Sequence, residues 1–244
     1  MPTTDNIAPQ QSDQIALGIT SQIKSFEVSV EGWHKWMDNL LEYRDGVGFL
    51  DINDDWEQKV AIGKGTSYGV ELFIQKKLGK STGWIGYTWS KSNRDFEELN
   101  FGNQFPYRYD RRHDVSLVYN LSINQKTDLG AVWVYGTGNS LTLPSSEFPK
   151  ATWNTNGVNY DGFVKSYPGR NSSRTEAYHR LDLSISFKKQ VRLGERKWVL
   201  GLFNSYSRLN PTFIEFDDDD PLNKAFEKLS LFPVIPSVSY QLKF

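Results

Sequence analysis

The chain has 244 residues with a formal net charge of −1, so no strong electrostatic pull toward nucleic acid is present. Cysteine is absent, which excludes a disulfide framework and thiolate metal sites. Aromatic residues make up 14% of the chain, hydrophobic residues only 38%, and mean hydropathy is −0.54; no run of about 18 apolar residues exists that could form a transmembrane helix.

The first dozen residues, with Pro2 and Pro9, read as a loop tail, and Met1 to Asn6 has neither the basic start nor the apolar stretch of a signal peptide. An exported protein would carry that signal upstream. Beyond the tail, period-2 alternation recurs along the whole length. It predicts about nine strands, near 14–23, 26–43, 67–78, 82–94, 113–122, 128–136, 177–188, 197–208 and 232–244. In the third, Tyr68, Val70, Leu72 and Ile74 alternate with Gly69, Glu71, Phe73 and Gln75. In the seventh, Leu181, Leu183, Ile185 and Phe187 alternate with Asp182, Ser184 and Ser186. Successive side chains of a strand point to opposite faces, so each strand has one greasy face and one wet face. Alternation alone fits both a sandwich facing water and a barrel facing lipid.

Connection lengths discriminate between them. Short links at Lys24-Ser25, Gly79 to Ser81, Asn124 to Lys126 and Arg192 to Glu195 alternate with long ones over 44–66, 95–112, 137–176 and 209–231. Outer-membrane barrels have short periplasmic turns and longer extracellular loops, whereas Greek-key sandwiches mix connection lengths irregularly. The expected fold is therefore all-β: an antiparallel up-and-down transmembrane β-barrel segment over residues 1–244. Aromatic residues near strand ends, among them Trp33, Trp36, Trp84, Trp89 and Trp198, suit interfacial girdles. The last strand places Val238, Tyr240, Leu242 and Phe244 on one parity. An aromatic end of this kind is the expected assembly signal, offered by strand addition to the barrel-assembly machinery.

Six segments in order carry a family resemblance. Gly65-Thr66-Ser67-Tyr68-Gly69-Val70-Glu71-Leu72 is followed by Gly83 to Ser90, by Arg108-Tyr109-Asp110-Arg111-Arg112-His113-Asp114, and by Tyr178-His179-Arg180-Leu181-Asp182-Leu183. Phe203-Asn204-Ser205-Tyr206-Ser207-Arg208-Leu209-Asn210-Pro211 comes next, and Ile235 to Val238 leads into the final strand. The set resembles the C-terminal barrel portion of TonB-dependent outer-membrane receptors, especially those of the Bacteroidetes type. The resemblance implies about nine C-terminal strands of a barrel of roughly 22. It also implies a location in the bacterial outer membrane, with lipid around the wall. Its function would be uptake of a large scarce ligand, energised by TonB through an N-terminal plug that this chain lacks. The ligand class stays open among siderophores, vitamin complexes, oligosaccharides and peptides.

No enzyme motif stands out, and no cofactor is expected. His34, His113 and His179 lack metal-ligand spacing, and Gly63-Lys64-Gly65-Thr66 lacks the first glycine of a phosphate loop. The run Asp217 to Asp220 reads as a solvated loop. Candidate ligand contacts are the loop aromatics Trp56, Phe101, Phe105, Trp153 and Tyr160, which can stack on sugars or rings, or pack the loops together. The competing readings are a glycan-binding β-sandwich, soluble or at the cell surface, and a porin or adhesin barrel without energy coupling.

Overall fold

The computed structural model describes residues 3–47, 56–154, 157–192, 194–211, 213–216 and 226–244. Nine strands follow one another in both sequence and space: β1 (Gln11–Ile23), β2 (Phe26–Tyr43), β3 (Val60–Lys76), β4 (Ser81–Asp95), β5 (His113–Asn124), β6 (Thr127–Gly136), β7 (Tyr178–Val191), β8 (Gly194–Phe203) and β9 (Ile235–Lys243). Every neighbouring pair is antiparallel. A short strand, Phe105–Pro106, adds to β4. Two of the long connections carry hairpins of their own, Ser146–Asn154 with Gly157–Ser166 and Phe213–Phe216 with Phe226–Leu229. The alternation of short and long links holds. The strand bounds depart most from the sequence reading at β3, which begins at Val60 instead of near 67, and at β8, which stops at Phe203 instead of near 208; other ends shift by up to three residues, and the long connections contain short strands of their own.

The registers gather the apolar parities onto one surface. Leu72 is paired with Val30 and Tyr87, Leu117 with Ile85 and Trp133, and Ile185 with Leu129 and Leu200. On the other surface Ser184 is paired with Gly130 and Gly201, and Ser186 with Asp128. The polar surface is the shielded one: Ser186 is 7% exposed while the adjacent Phe187 is 43% exposed. That is the shape of a wall curved around its polar side. Among the described residues no second sheet covers the apolar side, so the strands are not half of a sandwich.

The wall is also sheared. The paired row that starts at Ile23 runs through Phe26, Lys76, Gly83, Tyr119 and Ala131 to Leu183. Ile23 ends β1, but Leu183 stands well short of the end of β7 at Val191. A drift of about eight residues over six strand steps, at roughly 3.3 Å per residue and 4.8 Å between strands, corresponds to a tilt of roughly 40°. Membrane barrel walls tilt by a similar angle. Along β7 the apolar parity runs from His179 to Lys189, which at that tilt spans roughly 25 Å, the height of a barrel's lipid-facing band.

One irregularity has a clear local consequence. β2 carries a bulge between Met37 and Leu40, with Asn39 in the left-handed region at φ 56°. Asparagine tolerates that conformation better than most residues, and Asn39 Nδ2 donates to the Pro9 carbonyl at 3.1 Å. The extra residue shifts the pleat, so Leu40 comes to pack against the buried cluster of Ala61, Phe96, Leu99 and Phe105.

The face assignment predicts opposite outcomes at neighbouring positions of β7. In the intact membrane-inserted barrel, Leu183→Arg should cost about 2–4 kcal/mol because Leu183 lies mid-band, while Ser184→Arg should cost little. Reversible folding into liposomes measures both; equal tolerance of the two would refute the assignment.

Candidate functional site: the inner wall and its loop roof

The polar face is recessed where β2, β3 and β4 meet the loop after β4. A cleft of ≈ 400 Å³ is lined there by Glu31, Trp33, Lys35, Glu71, Arg94 and Tyr107, among others. Strand parity explains its composition: Glu31, Trp33 and Lys35 are alternate residues of one strand. The Trp33 indole N–H donates to Glu71 Oε1 at 3.1 Å. The Ser67 and Ser92 hydroxyls share a 2.6 Å hydrogen bond, and the Arg94 guanidinium lies 3.8 Å from the Tyr107 ring centroid. Glu31 and Glu71 stand directly opposite each other in the ladder. Like charges in that relation repel, so this end of the cleft suits a cationic group, while Lys35 and Arg94 offer positive charge at the other end. Among the described residues no group of three His, Cys, Asp or Glu is arranged to hold a metal ion.

Above the cleft, arginines tie the long loops into one roof. Arg170 reaches Asp45 at 2.7 Å and Glu42 at 3.1 Å, donates its backbone N–H to Asn100 Oδ1 at 2.9 Å, and lies over the Phe105 ring. Asn171 Nδ2 donates to the Pro106 carbonyl at 2.9 Å. The Asp110 side chain is fully buried. It accepts from Arg174, from Arg112 at 3.2 Å and from the Ser92 backbone N–H at 2.7 Å. Close approach makes this packing possible: a Cβ at Gly63 would fall 2.4 Å from the Phe96 ring. The N-terminal tail joins the same roof. Glu57 accepts hydrogen bonds from the Thr4 hydroxyl and from Asn6, and these hold its carboxyl below the usual range.

The proposed ligand aromatics are scattered by this arrangement. Phe105 is 2% exposed and packs the roof with Phe96 and Leu99, which leaves it no surface for a ligand. Phe101 is 96% exposed on a turn where Asn100, Phe101 and Gly102 are all left-handed. Trp56 is half-buried at the start of a short 3-10 helix. Trp153 and Tyr160 are paired with Val158 and Ala151 in the projecting hairpin, and their side chains lie outside the described part of the structure, as do residues Asp217 to Asp220. At the C-terminus Val238, Tyr240 and Phe244 are exposed and Leu242 is half-buried. Two of the expected girdle aromatics belong elsewhere. Trp33 lies on the cleft side, bonded to Glu71, and Trp84 shares its polar parity with Gly86 and Thr88. Trp33 and Trp36 are three residues apart, so they cannot share a strand face. The cleft residues Glu31, Lys35 and Arg94 were not foreseen; the available signal was charge at the wet parity of an alternating strand.

A family model described as TonB dependent receptor-like, beta-barrel, matches residues 2–204. The chain belongs to this family. With it comes a place in the bacterial outer membrane. Solved receptors share the fold. The ferripyoverdine receptor of the outer membrane of Pseudomonas aeruginosa, in a structure with ferripyoverdine bound, superposes with a TM-score of 0.59 at 14% identity over 96% of this chain and 27% of its own. The FrpB iron transporter from Neisseria meningitidis gives 0.54 at 11% identity over 98% of this chain and 31% of its own. The chain thus spans less than a third of the length of either. No curated protein matches it by sequence.

Within this TonB-dependent receptor barrel, two motif asparagines act as corner pieces. Asn204, fully buried and left-handed, donates its backbone N–H to Asp182 Oδ1 at 2.9 Å. Its Nδ2 donates to the carbonyls of Arg208 and Phe232, both at 2.9 Å, and its Oδ1 accepts from the Arg208 N–H. Asn210 bonds both the N–H and the carbonyl of His179. Tyr206, whose phenol burial pushes up, meets His179 Nδ1 at 2.7 Å. These contacts fold the loop after β8 back onto the top of β7.

The buried acid of the roof gives a second prediction. Asp110→Ala leaves two partly exposed guanidiniums and one backbone N–H without their shared acceptor, a loss of about 2–4 kcal/mol once solvent screening is allowed for. The loss should appear as faster limited proteolysis within residues 96–112 and 137–177 while the strand content stays unchanged; unchanged protection would show that the roof holds without Asp110.

Proposed function

We propose that this chain is the C-terminal wall of a receptor barrel that takes up a large, scarce ligand across the outer membrane, energised by TonB through a plug. The observation that supports it best is the lumen-side cleft with its opposed Glu31 and Glu71, roofed by loops that Arg170 and Asp110 tie together. Two carboxylates set against each other repel, and a removable, cationic segment or ligand group seated between them relieves that repulsion. The ligand is extracellular, gripped first by the loops and then passed along the polar face. The exposed aromatics of the loops, Phe101 foremost, supply apolar contact.

Replacing Glu71 with Lys in the complete receptor should abolish uptake while leaving the amount of barrel in the membrane unchanged, because the change reverses the charge of one cleft wall without touching the lipid face. Uptake is measured in iron- or nutrient-starved cells with a panel of ferric siderophores, cobalamin and oligosaccharides. Wild-type uptake that persists after removal of TonB would point instead to a porin.

The terminal strand supplies the assembly signal on this reading. Deleting Phe244, which is 89% exposed at the end of the outward row Val238, Tyr240, Leu242, should slow insertion by the assembly machinery without altering ligand preference. Pulse-chase of heat-modifiable barrel measures the rate, and a normal rate would reduce Phe244 to an ordinary edge residue.

A further inference from the structure

The short-turn end of the wall carries charge out of all proportion to the chain. Residues 24–27, 76–80, 124–128, 188–197 and 243 hold 11 basic and 3 acidic side chains, leaving 17 basic and 26 acidic in the rest. A nearly neutral protein is therefore strongly polarised, with its turns positive and its loops negative. The basic residues are not all in the turns. Lys189 and Arg196 lie on the lipid-facing parity, paired directly across the β7–β8 ladder. The next residues up that parity are Phe187 and Trp198, with Tyr240 beside Trp198 at 4.8 Å between ring centroids. Below the aromatic row comes a cationic row, which is the order of groups met when passing from hydrocarbon to headgroup.

Two like charges set directly opposite each other repel. The inner-face pair, Lys188 and Lys197, is relieved by Asp128, whose Oδ2 lies 2.5 Å from Lys188 Nζ. No carboxylate relieves Lys189 and Arg196 among the described residues. Lys76 repeats the theme on β3, lying over the Phe26 ring at 5.9 Å rather than against an acid. We infer that this end is a collar for anionic phospholipid headgroups of the periplasmic leaflet, with a lipid phosphate seated between Lys189 and Arg196. The inference rests on the membrane reading and on the short turns being periplasmic. Lipid is favoured over an acidic protein or wall polymer because the unrelieved pair points outward at headgroup depth, not into the lumen or down into the periplasm. Each basic group near an anionic surface strengthens attachment, and salt weakens it.

The test reconstitutes the complete receptor in vesicles of phosphatidylethanolamine alone and with one-fifth phosphatidylglycerol, and records thermal unfolding. The expected result is a midpoint several degrees higher with phosphatidylglycerol, a gain lost in high salt and in the Lys189→Gln/Arg196→Gln variant. Lys189→Arg should keep it, and so should Lys91→Gln at the opposite end, which guards against a variant that simply folds badly. The inference is overturned if the gain survives in the double Gln variant. It is also overturned if inorganic phosphate or soluble cell-wall fragments produce the same rise in phosphatidylethanolamine vesicles. A receptor that enters no vesicle of either composition would sink the membrane reading itself, whereas one that inserts equally well and shows no dependence on phosphatidylglycerol sinks the collar alone.

Discussion

Hydrocarbon offers a backbone no hydrogen-bond partner, and each group left unpaired there costs several kcal/mol. That constraint organises this protein. It demands that every strand find its neighbour, which the sequential meander achieves with the least chain, and it demands that one parity of every strand be apolar. Only the other parity is then free to carry chemistry. The cleft of Glu31, Trp33, Lys35 and Glu71 exists because those residues occupy the free parity. For the same reason, β1 and β9 each have one unpaired edge among the described residues, and in the membrane those edges must meet the strands of a larger wall.

Polar groups that the wall cannot accommodate are collected in the roof, where water and side chains are available. Asp110, Asn204 and Arg170 each satisfy several partners at once; Asp110 and Asn204 sit where a loop rejoins or leaves the sheet, and Arg170 lies within the long connection before β7. Such multiply bonded groups hold loops rigid without requiring a hydrophobic core. The roof's own core, built around Phe96, Leu99 and Phe105, is small.

Most of the wall was legible in the sequence because a two-residue period is a local signal: the alternation of Leu181 to Phe187 states the face of each residue without reference to anything distant. The roof was not legible for the converse reason. Arg170 meets Glu42, 128 positions away, and nothing in either segment announces the other. Phe105 looked like an exposed loop aromatic because its burial depends on Ala61 and Phe96 folding over it. The start of β3 was placed late because Val60, Ala61 and Ile62 form a continuous apolar run in which alternation vanishes: Val60 and Ala61, on opposite faces of the strand, are both buried at its upper end, while Ile62 stays exposed. The motif Asn204 to Pro211 marked a turn, but only the bonds from Asn204 to Arg208 and Phe232 show why an asparagine stands there.

The drift of the paired rows has a mechanical side. With strands inclined at roughly 40° to the barrel axis, a force along that axis divides between sliding neighbouring strands past each other and prising them apart, and the sliding component is slightly the larger. A ladder loaded by sliding shares the load over all its hydrogen bonds at once, whereas one that is peeled surrenders them singly. Long ladders such as that of β2 with β3, running from Phe26 to Tyr43, are therefore well suited to bearing an axial load.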